Sequence, residues 1–243
     1  MFDGLIKLQQ TFFDPHLIAQ VLPELVMTGL PNTILLAILA SLIGLALGLL
    51  VAICLSARFV WLRRLCRAYV DVLRGLPHIL TIYIVGQGLP LAGFALFGNS
   101  TYSYAAFAIG LIESAYMAEI IRAGLQSVDK GQIQAARSLG MSSARTLRYI
   151  VLPQGIRRVL PPLTGQFILV IKGTALVFLL GLTSGQRELF SIAQDAAINN
   201  ANLSPLTAAG LLYLLLTVPM THAVNAWERR MGLSSSRSAG SDD

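Results

Sequence analysis

The sequence predicts an all-α, polytopic membrane protein, and three observations carry that reading. The chain of 243 residues is 55% hydrophobic but only 12% charged, where a soluble domain holds about a quarter charged residues. Three runs, Leu25–Ala57, Gly75–Ile112 and Ala196–Trp227, contain no Asp, Glu, Lys or Arg, and a crossing helix needs roughly 20 apolar residues. The basic residues gather in loops that five crossings would put on one side. Five arginines lie between Arg58 and Arg74, seven Lys or Arg between Arg122 and Arg158, and Arg229, Arg230 and Arg237 in the tail. The loops of the other side hold Lys7 and Arg187 among Asp3, Asp14, Glu24, Glu188 and Asp195. That asymmetry predicts a cytoplasmic C-terminus and an N-terminus outside. The net charge of +6 thus reports topology. A nucleic-acid partner would need a basic soluble face with stacking aromatics, and the sequence offers none.

The elements follow in order. Residues 1–28 lack a basic n-region and are interrupted at Asp14-Pro15 and Pro23-Glu24. They read as an external N-terminal segment at the membrane surface, not a cleaved signal peptide. The first span is predicted from about Gly29 to Ser56, longer than a bilayer requires and therefore tilted or protruding. Within it Ala40, Gly44, Gly48, Ala52 and Ser56 recur every fourth residue. Such a small-residue stripe lets a second helix approach closely, with packing inside the chain the first expectation and a subunit interface the second. The second span is predicted from about Pro77 to Leu96, followed by a turn at Gly98-Asn99-Ser100. The third runs from about Tyr104 to Leu125, the fourth from Leu160 to Leu182 and the fifth from Pro205 to Trp227. Residues 29–231 thus form one five-helix transmembrane domain with a loop at about 126–158. The Ser-rich tail 232–243 is predicted to be disordered. Cys54 and Cys66 lack metal-ligand spacing and lie near or on the side where thiols stay reduced, so no metal site is expected.

The loop carries the most specific signal. Ile133, Ala136, Gly140, Leu147 and Ile150 recur at near-helical spacing, with Gln132, Gln134, Arg137, Arg145 and Arg148 between them. This predicts one amphipathic helix over 133–149, ended by Pro153. Alone, that pattern fits a helix lying on membrane lipid. Written out, however, Gln134-Ala135-Ala136, Gly140 and Ile150-Val151-Leu152-Pro153 give Q-A-A-x3-G-x9-I-x-L-P. This closely resembles the E-A-A-x3-G-x9-I-x-L-P signature of bacterial ABC-import permeases. Further stretches resemble the polar amino-acid branch of that superfamily: Arg74-Gly75-Leu76-Pro77, Glu113-Ser114-Ala115-Tyr116 with Glu119 and Arg122, and Lys172-Gly173-Thr174-Ala175-Leu176-Val177.

The resemblance implies the type I ABC importer permease fold in a bacterial inner membrane. It implies that Gln134, Ala135, Ala136, Gly140, Ile150, Leu152 and Pro153 form the surface that couples to an ATPase. The implied partners are an ATPase subunit dimer, a second permease (identical or paralogous), a periplasmic or extracellular solute-binding protein and an amino-acid solute. No cofactor is expected in this chain, because ATP and Mg²⁺ would sit on the ATPase. Gln134 departs from the family's Glu, which the resemblance would set against a basic residue of the ATPase; Gln can still hydrogen-bond there but brings no charge, which puts the ionic part of that contact in question.

Ionisable groups inside spans are costly and mark pathways or pairs. Glu119 and Arg122, three residues apart, are expected to form a structural pair. Glu113 is expected either to pair with Lys172 or to line a solute path with Tyr116, Lys172 and Thr174. His78 opens the second span and is expected to be interfacial. No catalytic motif occurs: the sequence has no H-E-x-x-H, G-x-S-x-G or phosphate-binding G-x-x-x-x-G-K-[ST]. The chain is therefore expected not to be an enzyme. A self-contained secondary transporter or channel is the alternative, and it would usually show inverted repeats or more spans. An intramembrane enzyme is a weaker one. The stretch from Ile171 to Leu182 resembles histidine, arginine and opine permeases more than the K-D-T-S-L form of glutamate and glutamine systems. With Glu113, it points to a basic amino acid or opine as the solute.

Overall fold

The computed structural model describes residues 2–231, so the predicted tail 232–243 lies outside the described residues. The described residues form helices joined by short turns, with no strand among them. In order it forms α1 (Phe2–Phe12), α2 (Pro15–Glu24), α3 (Leu30–Leu55), α4 (Val60–Gly75), α5 (His78–Tyr83), α6 (Leu89–Leu91), α7 (Thr101–Gln126), α8 (Lys130–Ser138), α9 (Ser143–Thr146), α10 (Leu152–Gly173), α11 (Leu189–Asn200) and α12 (Ser204–Arg230). Four helical runs are long and apolar enough to cross a membrane: Gly4–Leu55, Thr101–Gln126, Ser143–Leu180 and Ser204–Arg230. A fifth arises if Val60–Gly75 and His78–Leu91, bent by 107°, count as one broken span.

The boundaries correct the sequence reading in two ways. The predicted second span 77–96 is helical only over His78–Leu91, about 21 Å at 1.5 Å per residue, short of the roughly 30 Å hydrocarbon core. The helix ends at Leu91 and gives way to turns at Gly93 and Gly98, both at positive φ. Secondly, the predicted first span 29–56 and fourth span 160–182 both begin earlier, in runs from Gly4 and from Ser143.

Proline explains that continuity. Three single π turns, Leu25–Gly29, Ile84–Gly88 and Leu147–Val151, each precede a Leu-Pro pair: Leu30-Pro31, Leu89-Pro90 and Leu152-Pro153. Proline cannot donate to the carbonyl four residues back and clashes with it. Widening the preceding turn relieves the clash without breaking the helix. The Leu152 N–H accordingly reaches Leu147, five residues back. Pro153 therefore sits in the first turn of α10 and does not stop the helix as expected.

Helix α7 is the axis of the bundle. Its most apolar stretch is 72% buried within the chain, against 17% for α12. The small-residue stripe of α3 accounts for the closest packing. A Cβ on Gly48 would stand 2.9 Å from the Ser114 carbonyl oxygen, and one on Gly44 would stand 2.9 Å from the Glu113 Cβ. Ala40, Gly44, Gly48 and Ala52 are all buried in this contact, while Ser56 lies just past the helix and donates to the Ala52 carbonyl at 3.0 Å. The stripe is thus used inside the chain.

The first two helices are fastened to the start of α12. The Leu203 N–H donates to the Thr11 carbonyl at 2.9 Å, the Asp14 N–H to Ser204 Oγ at 2.9 Å, and Asn202 Nδ2 to the Gln10 carbonyl at 2.9 Å. Val21 and Leu25 then pack with Leu189, Ile192, Ala193 and Ala209.

Candidate solute cavity and coupling loop

Close approach of α3 to α7 leaves no room for the Glu113 side chain on that side. It turns instead towards α10. There Gln166 Nε2 donates to Glu113 Oε2 at 2.7 Å, and Glu113 is 5% exposed. The carboxylate borders a cavity of about 340 Å³ between α5, α7 and α10. His78, Tyr116 and Gln166 supply its other polar groups, and Ile82, Ile109 and Leu176 apolar wall. His78 Nε2 lies 3.3 Å from Tyr116 Oη, and the Arg74 guanidinium stands over the Tyr116 ring at 5.2 Å. A buried carboxylate with one neutral partner carries its charge at high cost. A cationic group entering the cavity would offset that cost.

The expected pathway residues divide. Glu113 and Tyr116 border the cavity, but Lys172 and Thr174 do not. The alternative pairing of Glu113 with Lys172 is not formed. Lys172 is exposed, and the ion pairs among the described residues are Glu119–Arg122 and Arg187–Asp195. Six residues along a helix place Gln166 and Lys172 on different faces, and it is the face of Gln166 that meets α7. Thr174 is fully buried, and its hydroxyl donates to the Ile171 carbonyl at 2.7 Å. His78 is more than interfacial, since it forms part of the cavity wall. Gln166 escaped the sequence reading. Its signal was present, as it is the single amide between Leu160 and Leu182.

The expected structural pair is formed, with Arg122 Nη2 2.6 Å from Glu119 Oε2. A second buried carboxylate is Glu188, which the sequence presents only as a loop charge. It accepts from the backbone N–H of Phe190 at 2.6 Å and of Ser191 at 2.7 Å, from Ser191 Oγ at 2.6 Å and from Tyr213 Oη at 3.1 Å. Burial pushes its carboxyl above the ordinary range, against the pull of the Ser191, Phe190 and Tyr213 donors. Glu188 is the cap of α11 and locks that helix to α12.

The loop is not the single helix expected over 133–149. Asp129 caps α8 by accepting from the Gln132 N–H at 3.0 Å. The helix then ends at a left-handed glycine, Gly140, with φ of 81°. The Gly140 N–H donates to the Arg137 carbonyl and the Met141 N–H to the Ala136 carbonyl, both at 3.1 Å, the paired bonds of a Schellman ending. Arg137 Nη1 donates to the Met141 carbonyl at 2.6 Å. Ser142 then caps α9, and the chain turns back into α10. Gln154 Nε2 bridges to Gln132 Oε1 at 2.7 Å, closing the loop on itself.

The residues expected to couple to an ATPase differ in exposure within the chain. Ala136 is only 4% exposed and faces its own chain, so it does not share an outward surface with Gly140. Gly140 is required for its φ, with open space around it. Gln134 and Ala135 are exposed, Ile150 and Leu152 half-buried, and Pro153 exposed on α10. Leu139, which the spacing argument passed over, is 85% exposed at the tip of the turn.

Long apolar helices around a cavity with a buried carboxylate, and a capped helical loop at the basic end, define a membrane transport subunit. The chain belongs to the family described as binding-protein-dependent transport system inner membrane component, which matches residues 44–233. It is 34% identical over 205 residues to a probable glutamine ABC transporter permease of Bacillus subtilis, covering 84% of this chain and 92% of that one. To an arginine transport system permease of the same organism it is 33% identical over 210 residues, covering 85% and 92%. Among solved structures, an amino acid ABC transporter crystallised with histidines matches at a TM-score of 0.81 with 31% identity, over 89% of this chain and 98% of that one. The chain is thus an amino-acid ABC importer permease subunit of the membrane-embedded kind.

Proposed function

We propose that this subunit carries a basic amino acid or an opine inward past Glu113, driven by an ATPase that docks on α8 and the Leu139–Gly140 turn. The observation that supports the solute class is the buried Glu113 carboxylate, which borders the cavity and has one neutral partner, Gln166. A guanidinium or ammonium is the complement to that carboxylate. Tyr116 and His78 supply hydroxyl and imidazole groups for the rest of the solute. Identity to relatives does not separate the solutes, since the glutamine and arginine permeases match almost equally well.

The coupling half of the proposal rests on exposure. Gln134, Ala135 and Leu139 face outward from a loop held rigid by its own caps, as a docking surface requires. Leu139 is the apolar knob, and Gln134 a neutral hydrogen-bonding neighbour. The subunit works with a second permease, an ATPase dimer that holds ATP and Mg²⁺, and a binding protein outside. The N-terminus is outside and the C-terminus cytoplasmic, in the inner membrane.

Proteoliposomes containing the co-expressed transporter test this reading. Labelled arginine or octopine should enter only with ATP inside, and excess glutamine should compete weakly. Uptake without the ATPase would favour a secondary transporter, and strong uptake of glutamine alone would overturn the solute class. Orientation is tested separately on a variant lacking Cys54 and Cys66. A cysteine at Asn199 should react from outside and one at Ala144 only from inside; the reverse pattern would invert the topology.

A further inference from the structure

The start of α10 and the end of α12 border a second cavity, of about 720 Å³, whose lining shares no residue with the cavity around Glu113. Arg157, Arg158 and Arg230 line it together with Trp227, and Leu160 and Met231 supply an apolar wall. Among the described residues, no carboxylate lines it. Glu228 lies two residues before Arg230, about 200° around the helix. None of the three arginines is in an ion pair among the described residues. Arg158 is held in place by donating through Nη1 to the Ser127 carbonyl and, at 3.1 Å, to Ser127 Oγ. Arg157 and Arg230 are exposed and uncommitted to any hydrogen bond among the described residues.

We propose that this cavity is a binding site for the phosphodiester headgroup of an anionic phospholipid. Guanidinium groups bind phosphate oxygens in pairs. Basic pockets between transmembrane helices on the cytoplasmic side suit anionic headgroups. A free anion would use the arginines but leave the apolar wall idle. A lipid uses both, with its phosphate on the arginines and its glycerol and first methylenes along Leu160 and Met231. Trp227 belongs at the membrane–water boundary, where tryptophan is enriched.

The chain has two tryptophans, Trp61 and Trp227, so Trp61→Phe leaves Trp227 as the sole reporter. The full-length chain carrying this change is placed in phosphatidylcholine nanodiscs. These contain equal mole fractions of brominated phosphatidylglycerol or brominated phosphatidylcholine. The phosphatidylglycerol should quench Trp227 more strongly. The excess should vanish in Arg157→Gln with Arg230→Gln and fall partway in Arg230→Gln alone, a change at the exposed last turn of α12. It should survive Arg63→Gln with Arg64→Gln, which removes the same charge from the basic loops outside the cavity. It should also survive excess inorganic phosphate. Equal quenching by the two lipids overturns the proposal. So does an excess that persists in the Arg157 and Arg230 variants, one lost equally from the Arg63 and Arg64 variant, or one displaced by phosphate.

Discussion

The coupling loop and the cavity around Glu113 are built by opposite means. In the loop, Gln134, Ala135 and Leu139 point outward and the backbone is fixed by local bonds: Asp129 and Ser142 at the helix starts and the Schellman bonds at Gly140. In the interior, helices are fixed by contact between backbones. Gly44 and Gly48 let α3 lie against α7, and that contact turns Glu113 towards Gln166 and the cavity. A change in the loop should therefore alter docking while the bundle survives. A change in the stripe should take the bundle with it.

The largest effect tests that division at Gly48. A leucine there would meet the Ser114 carbonyl, which is backbone and cannot swing aside. Overpacking costs about 1–3 kcal/mol where neighbours can adjust, and here the upper end applies. Gly48→Leu should fail to accumulate as a monodisperse protein in size-exclusion chromatography. Gly165→Leu, in a helix of the same bundle but with open space around it, should accumulate normally. Equal behaviour of the two would dissolve the claim that backbone contact sets the interior.

Gly140 comes next. An ordinary residue in the left-handed conformation costs about 1–2 kcal/mol, while asparagine is among the residues that tolerate it best. Gly140→Ala should lower recovery of the ATPase in pull-down by about tenfold, the equivalent of ~1.4 kcal/mol, and Gly140→Asn should retain most of it. If both variants bind fully, the turn does not set the docking surface. Gln134→Ala should be milder, since a neutral hydrogen bond contributes about 0.5–1.5 kcal/mol, and Gln134→Glu should bind at least as well as the wild type. Smallest of all is Arg122→Gln. Its pair with Glu119 is partly exposed, and such helix pairs are worth about 0.3–0.5 kcal/mol. Thermal unfolding should barely move, and a large loss of stability would give the pair a role beyond a surface contact.

The two regions also differ in how legible they were. Long uncharged runs and the one-sided placement of basic residues disclosed the membrane helices, because hydrophobicity is summed over many residues. The pattern from Gln134 to Pro153 disclosed the loop's identity but not its shape. Periodicity treats Gly140 as one more small residue on a helix face, whereas its φ of 81° ends the helix. Pro153 misled for a related reason. The rule that proline stops a helix ignores the π turn that absorbs it. In the interior, Glu113 stood out as a charge in an apolar run, but its partner did not. Charge suggested Lys172, whereas the helix that faces α7 presents Gln166. Partner choice depends on helix rotation, which a single sequence leaves open. The cap made by Glu188 was hidden because loop carboxylates are common and only burial distinguishes this one.

The division of labour is tested most directly at Glu113, by following solute uptake and ATP hydrolysis together in proteoliposomes of the assembled transporter. Glu113→Gln keeps the shape and the hydrogen bond with Gln166 but removes the charge. We expect the ATPase subunit to stay bound and basal hydrolysis to stay near the wild-type rate, while uptake of labelled arginine falls about tenfold or more, a loss of ~1.4 kcal/mol or greater. Wild-type uptake by Glu113→Gln, or loss of the ATPase subunit along with uptake, would contradict the assignment of this carboxylate to the solute path.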